Sequence, residues 1–118
     1  MKRFSMVMML LAGLAITVMI GCAAEKTELA FTNDSTGKIN DIIWADGDAT
    51  WNSATGYAVG YDTESKDVEQ MNGTVECSIY KDSSYVTANV YFPSTNSSSL
   101  SLNEGESNKY VLKAIPQE

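Results

Sequence analysis

The sequence predicts an all-β domain over residues 28–118, a small antiparallel β-sandwich of about seven strands. Apolar and polar residues alternate along several short segments of this region. No window of a dozen residues carries the sustained i, i+3, i+4, i+7 apolar stripe of an amphipathic helix. Turns rich in Ser, Asn and Gly separate the segments at intervals of roughly 8–12 residues, which is typical of sandwiches and barrels.

The first strands surround an acidic turn. Leu29–Thr32 is a short strand that ends at the turn-forming residues Asn33–Gly37. Ile39–Ala45 is the second strand, and the turn Asp46–Asp48 follows it. The next stretch, Ala49–Tyr61, fits one strand and a loop.

A hairpin turn is predicted at Asn72-Gly73, a strong type I′ signal, between Val68–Met71 and Thr74–Cys77. Its register is unclear, because direct pairing sets Glu69 opposite Glu76, which is unfavourable. Three later strands are predicted: Tyr85–Phe92, Leu100–Leu102 and Tyr110–Ile115.

A second hairpin, around the loop Lys81–Ser84, separates apolar from polar residues completely. One side pairs Val75 with Val90, Cys77 with Ala88 and Ile79 with Val86. The other side pairs Thr74 with Tyr91, Glu76 with Asn89, Ser78 with Thr87 and Tyr80 with Tyr85. Burial of the apolar side fixes this register, because a slip of one residue inverts both faces. We expect this hairpin to be the centre of the fold.

The polar side of this hairpin is the candidate binding face, with Tyr80, Tyr85, Tyr91, Thr87 and Asn89. Tyrosine rings with adaptable polar neighbours suit contact with a protein or a sugar, because each ring offers area and a hydroxyl at low entropic cost. The alternative is structural, since cross-strand aromatic pairs stabilise sheets by ~0.2–1 kcal/mol.

The two tryptophans and the acidic turns allow two further binding hypotheses. Trp44 and Trp51 form either a carbohydrate platform or, as is commoner in small domains, part of the core. A calcium loop starting at Asp46 fails the EF-hand template, which needs Gly sixth and Glu twelfth where this chain has Trp51 and Tyr57. Two acidic groups remain for irregular calcium binding: Asp41, Asp46 and Asp48, and Asp62, Glu64, Asp67 and Glu69. Solvated loops are the simpler interpretation, so no metal is assigned.

Catalysis is not predicted, because the chain has no histidine and therefore no imidazole base. Cys77 lies in an apolar pattern without a base, and no glycine-rich phosphate loop is present. A glycosidase-type carboxylate pair is the remaining alternative, although a domain of this size offers little room for a cleft beside its core.

The N-terminal 24 residues have the pattern of an export signal. Met1-Lys2-Arg3 precedes an uncharged stretch, Phe4–Ala24, that contains Met19-Ile20-Gly21-Cys22. This tetrapeptide resembles the lipobox of bacterial lipoproteins, with methionine where leucine is usual. The resemblance implies cleavage between Gly21 and Cys22, covalent acylation (palmitate among the chains) at Cys22, and an extracytoplasmic location at the cell envelope, on the outer membrane if the organism has one.

Two alternatives to the lipoprotein signal remain. Phe4–Ala24 is long enough for a retained transmembrane anchor, which needs ~20 apolar residues. Cleavage by an ordinary signal peptidase after Ala23 or Ala24 also fits a small-x-small site.

The lipoprotein interpretation divides the chain into a signal peptide (1–21), a short tether (22–27) and one β-domain (28–118). From Cys22 onward the chain carries 15 acidic residues, six lysines and no arginine, a formal charge of −9. This charge predicts repulsion from nucleic acid and from anionic lipid headgroups. The acyl chains at Cys22 are therefore expected to anchor the protein to the membrane. Cys77 then has no cysteine left with which to form an intramolecular disulfide. We therefore expect Cys77 either to be buried as a small hydrophobic residue or to form a disulfide with another chain.

The sequence as a whole favours a non-catalytic lipoprotein with an immunoglobulin-like sandwich and a binding or assembly role at the envelope. Its expected partners are the membrane, through the lipid, and an envelope protein or glycan. A carbohydrate- or calcium-dependent adhesion module is the first alternative, and a small hydrolase is the second.

Replacing Cys22 by Ser should release or mislocalise an otherwise folded protein, because the acyl chains are then its only hold on the membrane. Membrane fractionation with immunoblotting checks this outcome. Retention of the Cys22→Ser chain in the membrane would instead identify Phe4–Ala24 as a transmembrane anchor.

Overall fold

A computed structural model describes residues 26–117, and these form an all-β domain. The predicted signal and lipid site, including Gly21 and Cys22, lie outside the described residues. Eight strands follow one another: β1 (Glu28–Asn33), β2 (Ile39–Trp44), β3 (Ala49–Trp51), β4 (Lys66–Asp67), β5 (Asn72–Lys81), β6 (Ser84–Tyr91), β7 (Ser99–Ser101) and β8 (Ser107–Pro116). A single 3-10 turn, Ala45–Gly47, links β2 to β3.

The strands form one sheet in the order β3-β2-β5-β6-β8-β1-β4, with β7 also paired to β5. This sheet nearly closes into a barrel, because the segment before β5 lies between its two edges. Trp51 Nε1 on β3 donates to Glu64 O at 2.7 Å, and Asp48 Oδ2 accepts from the backbone N–H groups of Glu69 and Gln70. One pair departs from the predicted antiparallel arrangement, since β1 runs parallel to β8 over six residue pairs.

The hairpin of β5 and β6 confirms the predicted register near its turn. Tyr80 pairs with Tyr85, Ile79 with Val86 and Ser78 with Thr87. Beyond Thr87, β6 pairs instead with β8, from Ala88↔Pro116 to Tyr91↔Lys113. The predicted faces are correct along the whole hairpin: Val75, Cys77, Ile79 and Ala88 are buried, and Val86 and Val90 pack partly buried against the core.

The predicted hairpin turn at Asn72-Gly73 is wrong. Both residues lie within β5, where Asn72 pairs with Ser101 and Gly73 with Leu100 of β7. Pairing with a distant strand overrides the local turn preference, and the opposed glutamates of the predicted register had already indicated a conflict. The preceding strand is also displaced, since β4 is Lys66–Asp67 rather than 68–71.

Both tryptophans belong to the core and not to a carbohydrate platform. Trp44 and Trp51 have no exposed surface. Each indole N–H is nevertheless satisfied, because Trp44 donates to Gln70 O and Trp51 to Glu64 O. Such a partner lets a large aromatic side chain be buried without an unpaired donor.

Asn33, at the end of β1, is a fully buried polar side chain that fixes the neighbouring loops. Its amide nitrogen donates to Gly37 O at 3.0 Å and to Tyr57 O at 2.8 Å, and its oxygen accepts from Ser35 N. Asn33, which the local sequence predicts to be a turn residue, therefore connects the β1–β2 turn to the long loop after β3.

The strand directions give the domain two distinct ends. The chain enters the domain at one of them, which we call the entry end. There Thr27 accepts two backbone hydrogen bonds, from Gly105 N through its hydroxyl and from Val68 N through its carbonyl. Thr27, assigned to the tether by sequence, is thus buried in the domain. The entry end is acidic through six residues: Asp46, Asp48, Asp67, Glu69, Glu104 and Glu106. The opposite, far end holds the β1–β2 turn, residues 53–60 and the β5–β6 turn.

Replacing Asn33 by Ala should lower the free energy of unfolding by about 2–4 kcal/mol, because buried groups that lose a hydrogen-bond partner cost about 1–3 kcal/mol each. Urea denaturation followed by tryptophan fluorescence measures the loss. Asn52→Ala at an exposed loop position is the matched control and should change stability little. Equal stability of the two variants would contradict the role given to Asn33.

Candidate binding face

The outward side of the β5–β6 hairpin is exposed, as the alternation predicted. Thr87 and Asn89 are exposed, and Tyr80 and Tyr91 retain 42% and 38% of their surface. The rings of Tyr80 and Tyr85 meet edge to face, with centroids 5.2 Å apart. This part of the predicted face is therefore a real cross-strand aromatic pair.

Tyr91 is not part of that cluster. It lies six residues from Tyr85 along β6, which corresponds to about 20 Å at ~3.3 Å per residue. Its hydroxyl hydrogen-bonds Asn96 Oδ1, and Asn89 Oδ1 accepts from Gln117 Nε2 at 3.0 Å. The five predicted residues thus form a stripe along the sheet rather than one compact site.

Strand β8 extends this stripe into a broader surface. Because β6 pairs with β8, Ile115 lies beside Asn89 and Lys113 lies beside Tyr91. Val111 and Ile115 point outward and are 38% and 54% exposed. Alternation within 110–115 is a sequence signal that could have placed these residues on one face, but only the β6–β8 pairing shows that they adjoin the tyrosines.

We call this surface the outer face and define it as the outward residues of β5, β6 and β8: Thr74, Glu76, Ser78, Tyr80, Tyr85, Thr87, Asn89, Tyr91, Ser107, Lys109, Val111, Lys113 and Ile115. Among the described residues, six large hydrophobic side chains are exposed, and four of them belong to the outer face. Val59 and Tyr61, on the loop before β4, are the other two. Exposed apolar area concentrated in this way is typical of contact surfaces.

The outer face carries little negative charge for so acidic a protein. Glu76 is its one carboxylate, against Lys109 and Lys113. Lys109 forms an ion pair with Asp62 of the neighbouring loop, which also accepts from Thr32 Oγ1 at 2.7 Å. The hydrogen bond from Lys109, followed by that from Thr32, lowers the pKa of Asp62. This carboxylate therefore stays ionised and paired at neutral pH.

The far-end corner of the outer face is built by an irregularity in β2. The register of β2 against β5 shifts between Asn40 and Ile43, and Asp41 within this bulge has a positive φ of 52°. Asn40 Oδ1 accepts from Ser53 N, which anchors the loop that follows β3. Bulges of this kind are common beside functional sites because they redirect side chains.

That loop packs against Tyr85. The tyrosine hydroxyl contacts Thr55 O at 3.4 Å and lies so close to Gly56 that an added Cβ would be 2.1 Å from it. Partial burial, the neighbouring Tyr80 and the carboxylate of Asp41, in that order, raise the pKa of Tyr85. Lys38, whose Cβ lies near the same glycine, places its Nζ 5.2 Å from the Tyr80 ring centroid, a cation–π contact.

Cys77 is buried in the core, as its alternation with Val75 and Ile79 predicted. Burial raises the pKa of its thiol to about 12, so the group is protonated at neutral pH. A protonated, buried thiol is a poor nucleophile and cannot reach another chain while the domain is folded. The intermolecular bridge considered for Cys77 therefore does not fit this structure.

The acidic residues considered for calcium are spread over the domain. Asp41 lies on the outer side of the β2 bulge, whereas Asp46 and Asp48 lie at the entry end. Asp48 is engaged by the two backbone N–H groups of the segment before β5. Within residues 26–117, no group of three acidic or cysteine side chains has an arrangement that suits a metal ion.

The comparisons with known proteins identify no family. No protein-family model matches the chain, and no curated protein or solved structure gives a significant match. Among residues 26–117 there is also no helix with the length and apolar character needed to cross a membrane. Functional inference therefore depends on the geometry of the domain.

Replacing Gly56 by Ala should destabilise the domain and displace Tyr85. The left-handed backbone (φ 75°) costs an alanine about 1–2 kcal/mol, and the clash with the Tyr85 hydroxyl adds to that cost. Gly60→Ala is the matched control, since Gly60 has a similar φ of 86° but open space around its Cβ position. Urea midpoints of both variants test the difference.

Removing the hydroxyl by Tyr85→Phe should recover part of the stability lost in Gly56→Ala but none of that lost in Gly60→Ala. Equal losses in the two glycine variants, unaffected by Tyr85→Phe, would show that the loop does not pack on Tyr85.

Proposed function

We propose that this protein is a lipid-anchored, non-catalytic component of the bacterial cell envelope that binds a partner protein through its outer face. The observation that carries the proposal is the concentration of exposed apolar side chains, four of six, on one acid-poor face of an acidic domain. Surfaces of this composition suit recognition, with aromatic anchors surrounded by polar residues.

The position of the chain entry supports binding beside a membrane. The predicted lipid at Cys22 would join the domain at the entry end through only a few residues, which span at most ~3.5 Å each. The outer face would then rise from the membrane along β5, β6 and β8, with the Tyr80–Tyr85 pair at the far end. A partner held in the same membrane is well placed to reach such a surface.

A non-catalytic role is part of the proposal. The chain contains no histidine, and the Cys77 thiol is protonated and buried at neutral pH. No covalent cofactor beyond the lipid at Cys22 is proposed. For the domain itself, an immunoglobulin-like sandwich is the finer proposal, supported by its size and its predominantly antiparallel strands.

A glycan is the second candidate ligand, because exposed tyrosines with free polar neighbours suit sugars as well as proteins. The contacts around Tyr80 argue against a glycan. Lys38 and Tyr85 both lie against the Tyr80 ring, whereas a sugar ring needs an open aromatic face for stacking. Calcium-dependent adhesion receives no support from the arrangement of acidic residues among those described.

The proposal is tested by site-specific photo-crosslinking in intact membranes, with the photoreactive residue placed in turn at Thr87 and Ile115. Both positions are exposed on the outer face. The same partner should be recovered from both, and Ile115→Asp should reduce the adduct from Thr87. Thr50, exposed on the distant strand β3, is the control position and should give no such adduct.

Mass spectrometry of the adducts also separates the two candidate ligands. Failure to recover any protein from Thr87 and Ile115, or recovery equal to that from Thr50, would overturn the proposal. If a neutral glycan from a panel then raised the melting temperature of the protein in the same preparation, that result would favour the second candidate.

A further inference from the structure

The outward side of β8 reverses the charge of the rest of the domain. Its exposed residues alternate between lysine and an aliphatic side chain, from Lys109 through Val111 and Lys113 to Ile115. The neighbouring outward residues of β6, which are Thr87, Asn89 and Tyr91, are uncharged. A positively charged apolar strip therefore crosses a protein whose formal charge is −7 over the whole chain and whose entry end is acidic.

Lys113 is the free charge of this strip. The ammonium group of Lys109 already pairs with Asp62, while no carboxylate within the described part of the chain lies within ion-pair distance of Lys113. Tyr91 is the neighbour of Lys113 on β6, and Val111 and Ile115 flank it along β8. On the other side Asp34, which follows β1, continues the pairing with β8 but is not within ion-pair distance of Lys113. A cation with three partly exposed apolar neighbours and no ion pair of its own gains most from a carboxylate that arrives with apolar neighbours.

Two other occupants fit this strip less well. A two-fold contact between copies of the chain would set the strip against itself and bring lysines together, and like charges oppose one another at such short range. An anionic lipid surface would attract Lys113 but repel the many carboxylates of the same domain.

We propose that the partner bound by the outer face is an acidic protein segment, in which a Glu or Asp flanked by apolar residues pairs with Lys113 and packs on Tyr91, Val111 and Ile115. This inference rests on the proposed function and specifies the chemistry of the partner. The carboxylates on the other surfaces of the domain then contribute selectivity, because they repel an acidic segment that approaches the domain anywhere other than the strip.

The test combines two crosslinks in intact membranes with the full chain. The photo-crosslink from Thr87 reports binding. A carbodiimide, which activates a carboxylate so that a lysine amine displaces the urea and forms an amide, reports contact between Lys113 Nζ and a partner carboxylate. Lys113→Arg keeps the charge but cannot form that amide, Lys113→Glu reverses the charge, and Lys81→Glu reverses an exposed charge at the far end of β5.

The expected result is an amide between Lys113 and a Glu or Asp of the partner recovered from Thr87. Lys113→Glu should reduce the Thr87 adduct about tenfold, whereas Lys113→Arg and Lys81→Glu should leave it nearly unchanged. Added salt should weaken the wild-type adduct, since an exposed ion pair is screened.

The possible failures are distinguishable. An unchanged Thr87 adduct in Lys113→Glu would overturn the acidic-partner inference and leave the proposed function standing. Adducts that join two copies of this chain, or that consist of lipid, would also overturn it. No adduct from Thr87 in any variant would overturn the proposed function itself.

Discussion

The aromatic contacts of Phe31 are the packing constraint on which the rest of the domain depends. This ring, fully buried on β1, meets Trp51 of β3 edge to face at 5.1 Å and stacks on Phe92 at 6.1 Å. Phe92 in turn contacts Tyr110 of β8. Strands β1 and β3 lie near opposite edges of the sheet order, so this chain of rings spans the interior and holds the sheet curved. With no disulfide among the described residues, such packing is the principal source of cohesion.

A curved sheet with a filled interior leaves the outward side chains to other roles. The outer face lies along β5, β6 and β8, and its far-end corner is shaped by the bulge at Asp41 and by the loop that Asn33 and Asn40 anchor. The side chains of Asn33 and Asn40 therefore support the surface indirectly, because they position the loop that contacts Tyr85. Stability and the geometry of the candidate binding face depend on the same few hydrogen bonds.

Local pattern predicted most strands and the two sides of the central hairpin, because alternation directly reports which residues face the core. It placed Cys77 in the interior for the same reason, whereas burial of Trp44 and Trp51 was favoured over a carbohydrate platform because large aromatic residues commonly form the core of small domains. It failed at Asn72-Gly73, where pairing with β7 overrides a strong turn preference, and it did not detect the parallel pairing of β1 with β8. The contribution of Val111, Lys113 and Ile115 to the candidate face was equally hidden, since adjacency of distant strands is set by tertiary pairing and not by local sequence.

The parallel pairing of the first and last strands also has a kinetic consequence. Strand β1 leaves the ribosome or an export channel long before β8, yet six of its residues have their partners on that last strand. Pairing of β1 with β8 closes a chain loop that contains most of the domain, and contacts between residues so far apart in sequence form slowly. Until β8 emerges, the edge of β1 that pairs with it is exposed, and an unpaired strand edge is prone to aggregation. The time between synthesis of β1 and release of β8 is therefore the interval in which this chain most needs protection by a chaperone.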